Sequence, residues 1–385
     1  MALVRRNMKT WNLGLLVLPF SSLSADWALY QPEEWFDLNA HLRIAGAESS
    51  GAFGDLSTHG HDPTGEFTVQ GFEIEPRLRL NDHLLFSGGF NIVQTADNEL
   101  EAEFEEGYGS IQDLPGGFEV RGGRFFNRIG LQNRQHIHAW NFVDSNLVTS
   151  TFLGDENLAT DGGELNWIVP VGRFTSALTA SFGHAVVEDE EEEEEEEAGS
   201  EEGNFAENTF TARWLLRYDA NDFHRHELGL NLALGENGFG EDTNIYGIDY
   251  RYLWRENGLE AGGQFVELGG EFFFRTVDFV DEDLGTSGDA DHYGFSTYAR
   301  YGINAWDFGV RFDYLDDVEE AAGGDDIYAV EERFRFSVAA TYNWVLSEEF
   351  AGHIRLQGNF DDLEDSNEQS VFLQLGFDYG GNDGI

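Results

Sequence analysis

The chain has 385 residues, with 73 acids against 22 Lys and Arg, a formal net charge of −51, no cysteine and six prolines. Such a polyanion repels a phosphate backbone, which argues against nucleic acid as a partner, and without thiols no disulfide contributes to stability. No stretch beyond the N-terminal 25 residues holds 18 consecutive apolar residues, so no membrane-spanning helix is expected.

The N-terminus reads as an export signal. Arg5, Arg6 and Lys9 precede a short apolar run from Leu13 to Phe20, and Leu23-Ser24-Ala25 offers a small-residue cleavage site before Asp26. The run is too short to span a bilayer, so residues 1–25 are expected to be a signal peptide and 26–385 the exported chain. The excess of acid in that chain has two readings: a saline habitat, where acidic surfaces keep proteins soluble, or a surface that gathers cations.

From Trp35 to Tyr379 the pattern is segments of about ten residues, apolar at every second position and separated by Gly-rich or acidic turns. In order these are Phe36–Ala45, Glu66–Leu80, His83–Val93, Leu100–Ile111, Phe118–Phe125, Gly163–Val169, Phe174–Phe182, Asn208–Tyr218 and Glu227–Leu234. The series continues with Ile245–Trp254, Leu259–Glu267, Gly270–Val277, His292–Tyr301, Ala305–Leu315, Arg333–Val345, Glu349–Phe360 and Ser370–Tyr379. Single-chain bacterial barrels have even strand numbers, so Leu259–Val277 is read as one strand, giving about sixteen. The expected fold is all-β: one transmembrane antiparallel β-barrel domain in the outer membrane of a Gram-negative-type bacterium.

Each strand then has a lipid wall and a water wall. Tyr250, Tyr252 and Trp254, then Phe334, Phe336, Tyr342 and Trp344, then Phe377 and Tyr379 fall on one wall near strand ends, as interfacial aromatic girdles require. Asn81-Asp82, Pro170-Val171-Gly172 and Gly302-Ile303-Asn304 read as tight turns, while 46–64, 126–162, 183–207, 278–291, 316–329 and 361–369 read as long connections. Glu188–Glu197 is a self-repelling run of ten acids, expected to be disordered within 183–207. Residues 126–162, the longest stretch without alternation, are expected to fold into the barrel mouth as a constriction loop carrying Arg128, Asn133, Arg134, His136 and His138.

Arg on the lipid face costs about 2–4 kcal/mol at mid-membrane, so Arg213, Arg217, Arg251, Arg300, Arg311, Arg333, Arg335 and Arg355 are assigned to the lumen. Glu73, Glu75, Asp249, Asp307 and Asp313 share that wall. Opposed rows of Arg and carboxylate across a pore would set up a transverse field favouring small polar solutes or ions. Three His-x-His pairs could each hold a divalent metal such as Zn²⁺, because i and i+2 share a side in extended chain. They are His59 with His61, His136 with His138, and His224 with His226. No cofactor is required by this reading, and no Gly-x-Ser-x-Gly, His-Glu-x-x-His, P-loop or dinucleotide fingerprint points to an enzyme.

The stretch 114–130, LPGGFEVRGGRFFNRIG, resembles outer-membrane porins, loosely the phosphate-selective group, in which a strand ending Gly-Arg-Phe leads to a Gly opening an inward loop. The continuation 133–144, NRQHIHAWNFVD, resembles poorly characterised barrels associated with zinc-regulated outer-membrane uptake, which often carry a His-rich acidic insert. Here the insert is Glu-rich with only His184 beside it, and the exported chain has no lysine to form the ladder of phosphate-selective channels. The resemblance implies a porin embedded in outer-membrane lipid, with small hydrophilic or ionic solutes as cargo and a homotrimer as candidate assembly. Metal capture at the surface and a sealed barrel for adhesion are the alternatives.

Overall fold

The computed structural model describes residues 35–380 apart from 52–62, 96–97, 155–156, 188–202, 260–262, 282–285, 323–324 and 364–365. The first nine strands are β1 (Phe36–Ser49), β2 (Phe67–Arg79), β3 (Leu84–Gln94), β4 (Leu100–Leu114), β5 (Phe118–Phe126), β6 (Ala159–Val171), β7 (Phe174–Ala185), β8 (Phe205–Asn221) and β9 (His224–Asn237). The others are β10 (Asp242–Arg255), β11 (Phe265–Asp281), β12 (Thr286–Ile303), β13 (Trp306–Leu315), β14 (Val318–Ala322), β15 (Asp325–Val330), β16 (Arg333–Val345), β17 (Phe350–Leu363) and β18 (Asn367–Tyr379). Sixteen of them close an antiparallel barrel; β14 and β15 form a separate hairpin. Closure is made by β1 against β18, in register from Ala40↔Tyr379 to Ser49↔Ser370, so the barrel sheet itself has no open edge.

One strand and two connections differ from the expectation. The strand read as Leu259–Val277 begins at Phe265 and runs on to Asp281, with Leu259 in the preceding turn, its amide donating to Asp222 O. The connections expected at 278–291 and 316–329 are largely extended: β11 and β12 stay paired out to Asp281↔Thr286, and β14 pairs β15. Acidic side chains do not break a ladder whose backbone groups pair with each other. The expected signal peptide and the acidic run 188–197 lie outside the described residues. So do His59 and His61, the first of the predicted metal-binding pairs.

One end of the barrel is closed by tight turns whose chemistry is local. Asn81 Oδ1 accepts from the amides of His83 and Leu84, both at 2.8 Å, and Asn221 Oδ1 accepts from Phe223 N. Ser347 Oγ accepts from Glu349 N and Phe350 N. Short polar side chains that replace a backbone acceptor are what such turns need. The turn after β12 places Asn304 at φ 55°, a left-handed position Asn tolerates.

The apolar wall faces outward. Leu230, Ile248, Phe272, Val310, Val338 and Leu356 are all exposed large hydrophobics at mid-strand, an arrangement suited to hydrocarbon rather than water. Rings gather toward the short-turn end: Trp306 with Tyr342 at 5.0 Å, Phe350 with Tyr379 at 4.9 Å, and Phe174 with Tyr218 at 4.6 Å between centroids. A second ring cluster, Phe295, Tyr314 and Phe334, lies toward the other end, so an aromatic girdle borders each side of the apolar band. Buried polar residues lie on the opposite wall, inside.

Candidate functional site

The connection between β5 and β6 turns into the barrel and is bound to its inner wall. Its neck is closed by Asn127 N donating to Leu158 O at 2.9 Å. Asn133 bridges both sides, its Nδ2 donating to Asn127 O and Leu158 O and its Oδ1 accepting from Leu158 N. Asn127, fully buried, donates to Ser181 Oγ on β7 at 2.8 Å and accepts from Thr160 Oγ1 on β6 at 2.6 Å. Further along, Gly130 N reaches Asn231 on β9 and Leu131 N reaches Glu271 on β11. Gly130 sits at φ 63°, a torsion that favours glycine, and a Cβ there would lie 2.5 Å from Glu271 Oε2 and would have to displace the carboxylate that Leu131 N and Asn146 hold.

The far limb carries a short helix, α1 (Leu147–Leu153), capped by Asn146, whose Oδ1 accepts from Thr149 N at 2.8 Å. Asn146 Nδ2 also donates to Glu271 Oε1 at 2.8 Å, which ties the helix start to β11. Leu147, Val148, Phe152 and Leu153 join Ala233, Ile245, Phe273 and Leu315 in one buried cluster inside the barrel. Phe152→Ala removes a fully buried ring and should cost about 3–5 kcal/mol. The expected readout is cleavage within 131–157 by added protease while the strands stay protected.

Asp144 is the main electrostatic anchor of the loop. One or other of its oxygens lies 2.9 Å from Arg311 Nη2 and 3.1 Å from Arg335 Nη1, and it accepts from Gln357 Nε2 and Asn359 Nδ2. It therefore binds β13, β16 and β17 together. Burial opposes its ionisation, but the two guanidinium groups and the two amide donors outweigh that and hold its carboxyl below the usual range.

All eight arginines assigned to the lumen lie on the inner wall, but their carboxylates are not across the pore. Arg213 meets Asp249 at 2.6 Å, Arg217 meets Glu227 at 2.8 Å, and Arg251 meets Glu267 at 2.7 Å. Arg300 pairs with Glu267 and Asp307, Arg311 with Asp313, and Arg333 and Arg335 with Asp361. Arg213 reaches over Gly229, where any Cβ would strike Asp249. The expected field between opposed rows is thus replaced by neutralisation along the wall. Strands lie about 4.8 Å apart, so same-face residues on near neighbours meet before groups across the bore can.

Two predicted cations lack an ion pair among the described residues. Arg355 donates only to Thr341 and Gln374. Arg134, on the inward loop, is held near Arg213, Arg251, Glu227 and Asp249; burial, with the two arginines adding to it, lowers its pKa to about 10, so it stays charged at neutral pH. Arg128 lies 3.3 Å from Glu164.

None of the three predicted His pairs stands as a simple two-residue chelate among the described residues. His59 and His61 fall outside those residues, so no site is built on them. The members of the second pair stay neighbours, with ring centroids 5.8 Å apart, but each faces its own carboxylates. His136 sits against β4, with Nδ1 3.0 Å from Glu105 and Nε2 3.0 Å from Glu106. Burial alone would lower its pKa, but those two carboxylates hold it well above the ordinary value. His138 lies 2.7 Å from Glu73 on β2 and stacks on His41 of β1, with ring centroids 3.7 Å apart. His224 and His226 do not form a chelating pair: they share the face of Tyr250 and Tyr252, and each Nδ1 is 2.8 Å from a tyrosine hydroxyl. They belong to the aromatic border. Sequence reasoning singled out neither Asp144, Glu271, Glu105 nor His41. The available signal was that Arg311 and Arg335 demand a buried carboxylate partner, and Asp144 is the one acid in 127–154.

No family model matches the chain. It is 43% identical over 67 residues, 17% of its length, to an uncharacterised Aquifex aeolicus protein of which that segment is 14%. Solved structures similar in fold include the outer-membrane channel DcaP of Acinetobacter baumannii (TM-score 0.55, 12% identity, 90% of this chain and 96% of that one). The anion-selective porin of Comamonas acidovorans is similar at TM-score 0.52 with 11% identity over 90% and 99% of the two chains. OmpF of Salmonella typhi is similar at 0.52 with 9% identity over 89% and 97%. The chain thus has the fold of the outer-membrane porins, a sixteen-stranded transmembrane β-barrel.

Proposed function

We propose that the protein is a porin through which small hydrophilic or ionic solutes diffuse passively across the outer membrane, with residues 127–158 setting the narrowest point. The observation that carries this reading is a long loop held inside a closed barrel by polar contacts to β1, β2, β4, β6, β7 and β9, and again to β11, β13, β16 and β17. A barrel that only supported the envelope would not need an inner surface so rich in ionised side chains, whereas a water path does. Similarity to porins supports the same conclusion at the level of fold.

Arg134 is the charge a passing solute would meet, because its neighbours on the wall are already paired while it is not. One Vibrio cholerae OmpT structure is of a trimer form, and a homotrimer is the assembly proposed here. The test is swelling of liposomes containing the refolded chain in sugars of increasing size. Rates should fall steeply with solute size, and Arg134→Ala should shift the reversal potential in a salt gradient toward cation preference. Liposomes that stay impermeable at equal protein content would instead indicate a sealed barrel.

A further inference from the structure

Opposite the face where Arg134 lies, the loop closes on a cluster of imidazole and carboxylate groups whose chemistry goes beyond holding the loop in place. His136 and His138 meet His41 of β1, Glu73 and Glu75 of β2, and Glu105 of β4. Two trios, one of His41, Glu75 and His138 and one of Glu73, Glu105 and His136, each present one donor atom per residue within 4.8 Å of one another. Glu73 is 1% exposed and its Oε1 has no hydrogen-bond partner, although it points at His136 Nδ1 from 3.8 Å. A buried carboxylate oxygen left without a donor is costly, and a divalent cation between Glu73 and His136 would satisfy it by displacing a proton from the imidazole that Glu105 and Glu106 hold.

The donor types select the cation. Imidazole mixed with carboxylate suits Zn²⁺ and related divalent transition metals, whereas Ca²⁺ and Mg²⁺ prefer all-oxygen shells. The outer contacts fit as well. His41 Nδ1 is 2.8 Å from Asp378 and His138 Nδ1 is 2.7 Å from Glu73, leaving the other ring nitrogen of each to ligate, as in carboxylate–histidine–metal arrangements. Three protein donors per trio leave a coordination position for water, which suits exchangeable binding rather than a closed structural cage.

We propose that these six residues form a lumenal site for Zn²⁺-class divalent cations, which locks the inward loop onto β1, β2 and β4. Occupancy cross-links the loop to β1, β2 and β4, beside the Asp144 anchor on β13, β16 and β17. The site stands independently of the solute path, since it can bind whether or not the barrel conducts.

Calorimetric titration of the refolded full chain with Zn²⁺ in detergent tests it. Saturable binding is expected, weakened at least about tenfold by His138→Ala or by His136→Ala. It should be unchanged when His224→Ala and His226→Ala are combined, or after deletion of residues 188–202. If an alanine variant fails to fold, Glu75→Gln and His41→Asn preserve shape and should show the same loss. Millimolar Ca²⁺ should not compete. Absence of saturable binding in the folded chain, or binding that survives His136→Ala together with His138→Ala, would overturn the proposal.

Discussion

Replacing Asp144 with Ala should release the inward loop and raise single-channel conductance. The carboxylate is fully buried and shared by Arg311 and Arg335, themselves buried. Its removal takes away the carboxylate that both guanidinium groups share, leaving Arg311 with Asp313 and Arg335 with Asp361 alone, and breaking a buried pair costs up to about 3–5 kcal/mol. Gln357 Nε2 and Asn359 Nδ2 lose an acceptor at the same time. The cost falls on docking of the loop, because the strands keep their backbone ladders on both sides. Larger, noisier steps and new protease sites within 131–157 are the expected results.

The same residue fixes the response to acid. Its carboxyl has a lower pKa folded than the ordinary 3.8, so its contribution is complete above that ordinary value and is lost only as pH falls through the lowered one. Protease protection of the loop should therefore persist from about pH 7 to about pH 5. Loss of protection within that window would assign the anchoring to some other group.

Ile248→Arg is expected to destabilise the barrel by about 2–4 kcal/mol when measured by urea titration in phospholipid bilayers, whereas Val171→Arg should cost only about 0–1 kcal/mol. Ile248 lies at the middle of β10, between Leu230 and Phe272 on the outer wall. Val171 ends β6 at the short-turn rim, where a guanidinium can reach headgroups and water. Equal costs at the two positions would mean that the outer wall does not face hydrocarbon with this depth profile.

Alternation made the architecture legible. Trp306 to Tyr314 showed both walls of β13, and the same parity placed Arg213, Arg311, Arg335 and Asp249 inside without a structure. The side chains within reach of one another stayed hidden, because they depend on register. Arg335 opposes Asp361 and Asp313 opposes Arg335 only once β16 is set against β17 and β13. The inward loop could be recognised from its broken alternation, but not the route by which His138 meets the distant His41 of β1. Local spacing misled at His224 and His226: i and i+2 do share a face there, but it is the outward one, where tyrosines claim both imidazoles.

Single-channel recording in planar bilayers, comparing the intact chain with one lacking residues 132–157, tests the central claim most directly. The intact chain should give discrete steps, and the shortened chain distinctly larger ones, because the loop obstructs an otherwise open bore. Equal step sizes, or silence from both chains when each is folded, would contradict it.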